Sequence, residues 1–401
     1  MHSKSISTKT EQSKVYSKIR HIQNKVINLS GNLSFLYNDE ITVLKLRKLY
    51  EDKGFKKFRM SKFESYDFYA KNKDFLVGNR IITFTDLNGK LMALKPDVTL
   101  SIIKNADNSA ERQKLYYTEN VYRESKDIHE FKEISQVGLE VLGDIDLFQT
   151  VEIITLAVKS LHELDENAIL EISHMGYTEG LLDCLTNDPH LRSELHKLFK
   201  EKNSHDLIKL AESHSLPKSP VNTAVDVMTC KNSNDEAIEN ALSNALNSRM
   251  QDAVNEIREI FELLKKSGLD KHIRIDFSVT DDPGYYNGIL MHGYVHAIPR
   301  DVLSGGRYDS LTAKMGKDKT NAMGFAIYFD ALDRKLHTRN KTGTDAIVVY
   351  NENSDINTLA DFCNKLDSDG ISYTAVKAIP ENCGDSKVYC IESTDVKEVV
   401  L

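Results

Sequence analysis

Several stretches of this 401-residue sequence concentrate residue types able to hold a small polar molecule. "LKPDVT" (94–99) sets Asp97 and Thr99 two residues apart behind Pro96, on one face of a segment read as extended. A carboxylate and a hydroxyl so spaced can receive an ammonium group; they are equally the residues of a turn. In "FKEISQVGLEVLG" (131–143), Gln136 and Glu140 share one face of a predicted strand, and Gly138 between them leaves room for a ligand. The same pattern also describes a solvated outer face. Arg123 ends the preceding strand and offers a planar fork suited to carboxylate or phosphate, or else it is a surface arginine. Tyr286 in "YYNG" and Tyr308 in "SGGRYD" stand beside glycines, where a tyrosine either gates a pocket or packs half-buried.

Other chemistries are poorly served. Gly305 and Gly306 are not followed by the Gly-Lys-Ser/Thr of a phosphate loop, and neither a Ser-His-Asp arrangement nor an HExxH helix can be read. His292 and His296 are four apart on an apparent strand without acidic ligands nearby. No catalytic residue, metal site or cofactor is therefore expected. The five cysteines (Cys184, Cys230, Cys363, Cys383, Cys390) lie far apart with no CxxC pair, the usage of reduced cytosolic thiols. Sixty acidic against 52 basic residues give a net charge of −8, with no general attraction to nucleic acid. The N-terminus "MHSKSISTKTEQSK" is polar, and no run approaches the ~20 apolar residues of a membrane span. The composition is that of a cytoplasmic globular protein.

The elements that must position these residues follow from periodicity. Residues 1–20 read as a polar arm. "NDEITVLKLRKLYEDKG" (38–54) reads as a helix capped by Asn38 or Asp39, with Ile41, Leu44 and Tyr50 at helical spacing and Gly54 as its stop. Short strands follow, with "LNGK" as an Asn-Gly hairpin turn. Strands are expected at 114–123 and 131–143, a helix at 144–164 with acidic capping candidates, and a strand in 167–177. Residues 178–270 carry Leu and Ala at helical spacing, broken at "SLPKSP", and read as a helical insert. Ile273, Ile275, Phe277 and Val279 alternate as a strand over 272–279, "DDPG" turns, and strands return in 285–311. "NAMGFAIYFDALDRKL" (321–336) reads as strand or helix. Residues 342–401 read as a small α/β C-terminal domain.

In chain order, these pieces resemble the core of a class II histidine–tRNA ligase. "DLNGKLMALKPDVT" resembles its threonine-bearing segment, and "NVYRESKDIHEFKEISQVGLEVLG" resembles motif 2. "DPGYYNGILMHGYV" resembles the histidine-specific strand pair, and "SGGRYDSL" with "NAMGFAIYFDAL" resembles motif 3. The resemblance implies an α+β fold in residues 21–335, an antiparallel sheet flanked by helices, and dimerisation. It also implies a histidine pocket lined by Asp97, Thr99, Gln136, Glu140, Tyr286 and Tyr308, with Asp97 and Thr99 meeting the α-ammonium group. Arg123 matches the motif 2 arginine beside the carboxylate and α-phosphate.

The departures from that family concern charge. "DDPGYY" puts Asp281 where the ligases carry an arginine that serves adenylate formation. Ala331 stands where motif 3 ends in an ATP-holding arginine. The loop "ESKDIHEFKE" is short and acidic, and Ser61 replaces a proline near motif 1. Adenylation gathers negative charge at the α-phosphate, and losing one preorganised donor typically costs about 10²–10³ in rate. Histidine binding needs neither arginine. The chain is similar to a paralogous family, the regulatory subunits of ATP phosphoribosyltransferase. That similarity implies a non-catalytic homodimer within a hetero-oligomer, beside a short-form catalytic ATP phosphoribosyltransferase subunit. L-histidine would be the feedback effector in the first step of histidine biosynthesis, with no tRNA and no membrane as partner. The alternatives are an active histidine–tRNA ligase and a stand-alone amino-acid-binding regulator.

Overall fold

The computed structural model describes residues 36–76, 80–108, 111–124, 130–230, 233–296, 298–332, 343–380 and 382–399. The 1–20 arm and residues 125–129 of the acidic loop lie outside them. The chain divides into two units, Asp39–Leu336 and one formed by Met1–Asn38 with His337–Leu401.

The first unit is built on an eight-stranded sheet. In chain order its strands are β1 (Lys56–Lys57), β5 (Gln113–Glu124), β6 (Phe131–Gly143), β7 (Ile169–His174), β8 (Ile273–Ile275), β9 (Ile289–Tyr294), β10 (Leu303–Arg307) and β11 (Asn321–Tyr328). Their spatial order is β1-β5-β6-β11-β10-β9-β7-β8. The five inner pairings are antiparallel, while β1 and β8 add parallel edges. A separate three-stranded sheet holds β4 (Leu91–Leu94) between β2 (Phe63–Ser65) and β3 (Thr83–Thr85).

Alternation on β6 gives the sheet its two faces. Val137, Leu139 and Val141 enter the main core, which the Leu147–His162 helix covers with Ile153, Ile154, Ala157 and Leu161. Each of these valine, leucine and isoleucine side chains, fully buried, contributes about 1.5–3 kcal/mol. Phe131, at the hairpin end of β6, is exposed instead. Asp146 starts the helix as anticipated, accepting the Gln149 N–H at 3.0 Å. The even positions Gln136 and Glu140 face the other way, into a cavity.

Several boundaries differ from the sequence reading, each for a local reason. The first helix spans Asn38–Glu51 and buries Thr42, Leu46 and Tyr50, so Leu44 points outward at 47% exposure. Five residues, not an Asn-Gly pair, close the β3–β4 hairpin, because Asp86 Oδ1 accepts the N–H groups of Asn88 and Lys90 at 2.9 and 2.8 Å. β8 ends at Ile275 because Asp276 Oδ1 takes the Ser278 N–H at 2.9 Å and turns the chain, so Phe277 and Val279 are not strand residues. Of residues 321–336, those described run as β11 and then a 3₁₀ turn over Phe329–Ala331, and 333–336 lie outside the described residues. Among the described residues, the elements between Met175 and Lys266 are all helices, starting as soon as β7 stops, with His174 Nδ1 accepting the Gly176 N–H at 3.0 Å. Their Leu191, Leu195, Phe199, Ile257 and Leu264 belong to the same buried cluster as the sheet.

The second unit carries a four-stranded sheet: β12 (Ala346–Val349), β13 (Tyr373–Val376), β14 (Lys387–Glu392) and β15 (Asp395–Val399), ordered β13-β12-β14-β15. The Ile356–Ser368 helix supplies the β-α-β crossover, burying Leu359 and Leu366 with Ala346, Val348 and Ile391. The first three strands are parallel, and β15 returns antiparallel.

Candidate functional site

All seven residues singled out from the sequence line one cavity of about 660 Å³, within the range of small-molecule sites. Glu140 is its centre. It is 2% exposed on β6, and both carboxyl oxygens have hydroxyl partners: Thr99 Oγ1 donates to Oε1 at 2.9 Å, and Tyr308 OH donates to Oε2 at 2.5 Å. Burial drives its pKa up to about 8; the two hydroxyls oppose that rise, and the charge of Asp97 adds to it. At neutral pH Glu140 is therefore largely a neutral acid.

Asp97 and Thr99 do not share an extended segment. Thr99 opens the Thr99–Asn105 helix, and Asp97 Oδ1 accepts the Leu100 N–H at 2.8 Å. Turn chemistry thus accounts for one Asp97 oxygen, while the other meets Arg123 Nη2 at 3.3 Å. Arg123 Nε also donates to the Pro96 carbonyl at 2.5 Å, which ties β5 to the start of that helix. Burial raises the Asp97 pKa, with Arg123 opposing the rise.

Gly138 does not leave room for a ligand in the way its position suggests. It pairs with Tyr117 of β5, and a Cβ added there would lie 2.5 Å from the Tyr117 hydroxyl. The space belongs to Tyr117, which is itself buried and lines the cavity. Gly324 on β11 is tighter still, since a Cβ there would come within 1.8 Å of Glu140 Oε2. Glycine at 324 is what allows a carboxylate to lie flat on this sheet. Tyr286 lies against Gly306, whose added Cβ would be 2.9 Å from the ring. Gln136, 2% exposed, keeps its Nε2 without a hydrogen-bond partner among the described residues.

Of the wider lining, the sequence reading had named Asp281, in the place of a ligase arginine, and His292, but not as parts of one wall with the rest. Lys200, Asp281, Asp282, His292, Arg300, Asp301 and Asp330 complete the polar wall. Lys200 pairs with Asp281 at 2.5 Å, Arg300 with Asp330 at 3.0 Å, and His292 meets Asp301 at 3.4 Å. Among the described residues the cavity thus presents six carboxyl groups against three permanent cations, each cation already matched with an acid. Such a field attracts a cationic ligand and repels a polyanion.

An antiparallel sheet with helices behind it and an acid-lined pocket on its front face defines a class II aminoacyl-tRNA synthetase-type core. The family description "Histidyl-tRNA synthetase" matches residues 37–332. The chain belongs to the histidyl-tRNA synthetase family. Its curated relatives include an ATP phosphoribosyltransferase regulatory subunit of Clostridium acetobutylicum, 28% identical over 359 residues and covering 87% of each chain. A second bears the same name in Clostridium kluyveri, 29% identical over 77% of this chain and 81% of that one.

Among solved structures, an ATP phosphoribosyltransferase regulatory subunit/histidyl-tRNA synthetase from Bacillus halodurans superposes with a TM-score of 0.71 at 20% identity, covering 89% of this chain and 94% of that one. Histidyl-tRNA synthetase from Nostoc gives 0.69 at 15% identity over 92% and 96% of the two chains. A chain of an ATP phosphoribosyl transferase complex from Thermotoga maritima gives 0.58 at 20% identity over 73% and 97%. These structures share the fold.

Proposed function

We infer that the chain is a non-catalytic regulatory subunit of ATP phosphoribosyltransferase, acting in histidine biosynthesis beside a short-form catalytic subunit. In this reading it is a homodimer within the hetero-oligomer, with L-histidine as its effector. The supporting observation is the charge of the cavity: the residues expected to receive histidine converge in it, and its carboxyl groups outnumber its cations. Asp97, Thr99 and Glu140 face the ammonium and imidazole groups of the ligand, Arg123 its carboxylate, and Tyr286 and Tyr308 close around it. Asp281 stands where the ligases' arginine would serve adenylation, and it draws Lys200 into a pair. Ala331 offers no charge at the position of the second arginine. A triphosphate entering here would meet uncompensated acids. Regulation follows by linkage, because histidine shifts the assembly by its differential affinity for active and inhibited states.

Calorimetry with L-histidine, on the chain alone and with the catalytic subunit, tests the reading. Binding that weakens in Glu140→Ala is the expected result; no binding in either setting removes the sensing role. One observation favours an active ligase: Lys200 and Arg300 bring two basic side chains to the same cavity as Arg123. Histidine-dependent pyrophosphate exchange separates the two readings. The expected outcome is none, and robust exchange replaces the regulatory assignment with a catalytic one. Co-purification of a phosphoribosyltransferase lacking a regulatory domain of its own tests the partner.

A further inference from the structure

Lys200, which Asp281 draws into a pair, is the last residue of the Pro189–Lys200 helix, so the C-terminal end of that helix reaches the cavity. Three contacts tie that end to the stretch that follows β8. His196 Nε2 meets Thr280 Oγ1 at 3.0 Å, Lys200 Nζ donates to Asp281 Oδ1 at 2.5 Å, and Lys202 Nζ donates to Asp276 Oδ2 at 2.8 Å. The receiving stretch is irregular backbone held by its own aspartates. Asp281 Oδ1 also accepts the Asp282 N–H at 2.9 Å, and Asp282 Oδ1 accepts the Gly284 N–H at 2.8 Å. The Asp282 carbonyl accepts the N–H groups of Tyr285 and Tyr286, both at 3.0 Å. A continuous run of bonds therefore leads from Lys200 to the two tyrosines. Lys200, Asp281, Tyr285 and Tyr286 all line the cavity.

We propose that Lys200 is a positioning residue: through Asp281 it holds the 281–286 turn, and with it the Tyr285–Tyr286 wall, so that pocket occupancy and the placement of the helical segment are coupled. The identity of the ligand rests on the histidine reading; the positioning role does not. Lys200 and Asp281 are 52% and 25% exposed, so salt screens the pair and its effect is modest. The sign is diagnostic. Removing Lys200 makes the cavity more negative, which by field alone would hold the ligand's ammonium group more tightly, whereas a loosened wall weakens binding.

The test is hydrogen exchange by mass spectrometry on the full chain, with calorimetry, for the parent, Lys200→Met and Lys200→Arg. In Lys200→Met, the amides of Asp282 and of 284–286 should exchange several-fold faster without ligand while β6 stays unchanged, and histidine should bind about two- to fivefold more weakly. Lys200→Arg should behave as the parent does in both assays. In the parent, histidine should slow exchange over 196–202. Parent-like exchange at 282–286 in Lys200→Met, or tighter histidine binding, overturns the proposal. If the parent itself binds no histidine, the ligand-free exchange still decides the role of Lys200, and the functional reading alone falls.

Discussion

Replacing Glu140 with glutamine keeps its shape and removes its titration, so the consequence can be worked from the site. The group moves from an ordinary 4.5 to about 8 on folding, chiefly through burial. A raised folded-state pKa means that between those values the folded chain binds more protons at this position than the unfolded chain. Stability then falls as pH rises, by about 1.4 kcal/mol per pH unit for one group. The contribution is fully present below about 4.5 and spent above about 8, a total of roughly 3–6 kcal/mol. The stability difference, Glu140→Gln minus parent, should therefore grow in the variant's favour with that slope from pH 5 to about 7.5 and level off by pH 9. Urea unfolding of ligand-free protein at unit pH steps measures it. Alongside this, at pH 9, where Glu140 is ionised, the variant should lose about 10- to 100-fold in L-histidine affinity, since a charge-assisted hydrogen bond is worth about 1.5–3 kcal/mol. A stability difference independent of pH would refute the buried-acid argument, whatever the binding shows.

Tyr308→Phe removes a donor that favours the ionised Glu140, so it should destabilise by about 1–3 kcal/mol and by more at pH 8.5 than at pH 6, read from the same unfolding curves. Gly324→Ala forces a methyl group onto Glu140 Oε2 and the Leu139 carbonyl; a loss of at least about 1–3 kcal/mol and abolished histidine binding are expected by thermal melting and calorimetry. Arg123→Ala leaves Asp97 buried without its cation and should cost about 3–5 kcal/mol, most of it recovered by adding Asp97→Asn. Arg123→Lys should rescue only part, because one ammonium cannot reproduce both the Pro96 and the Asp97 contacts.

The sequence made the site residues readable by type, yet it could not give the distances between them. Glu140 and Gln136 stood out because a strand alternates and a polar face on a buried strand needs a reason. Tyr117 was missed because its meeting with Gly138 depends on the β5–β6 register, and a one-residue slip would bring the other face forward. Tyr116, its neighbour, packs into the opposite core. Lys200, Arg300 and Asp301 carry no local signal at all; folding alone brings them beside residues distant in the chain. Periodicity misled where a side chain overrode it, as when Asp276 ended β8 although the apolar alternation ran on to Val279. It also misled at Leu44, where one turn of helix offered two faces and the sheet took the one bearing Thr42, Leu46 and Tyr50.

The charge of the cavity links these observations in one physical argument. Six carboxyl groups around one cleft cannot all be ionised cheaply, and the ligand-free chain relieves the strain in two ways: each cation is matched with an acid, and Glu140 holds its proton. On the proposed reading, the ammonium group of a bound amino acid would supply the positive charge the site lacks, so that binding would favour the ionised form of Glu140 and stabilise the fold by mass action. A triphosphate does the reverse, adding like charge to a wall that repels it. On the same reading, Asp281 and Ala331 at the positions of the ligases' arginines would do more than disable adenylation. They would convert an amino-acid site that must share its space with a nucleotide into one whose occupancy depends on the amino acid alone, which is the property a concentration sensor requires.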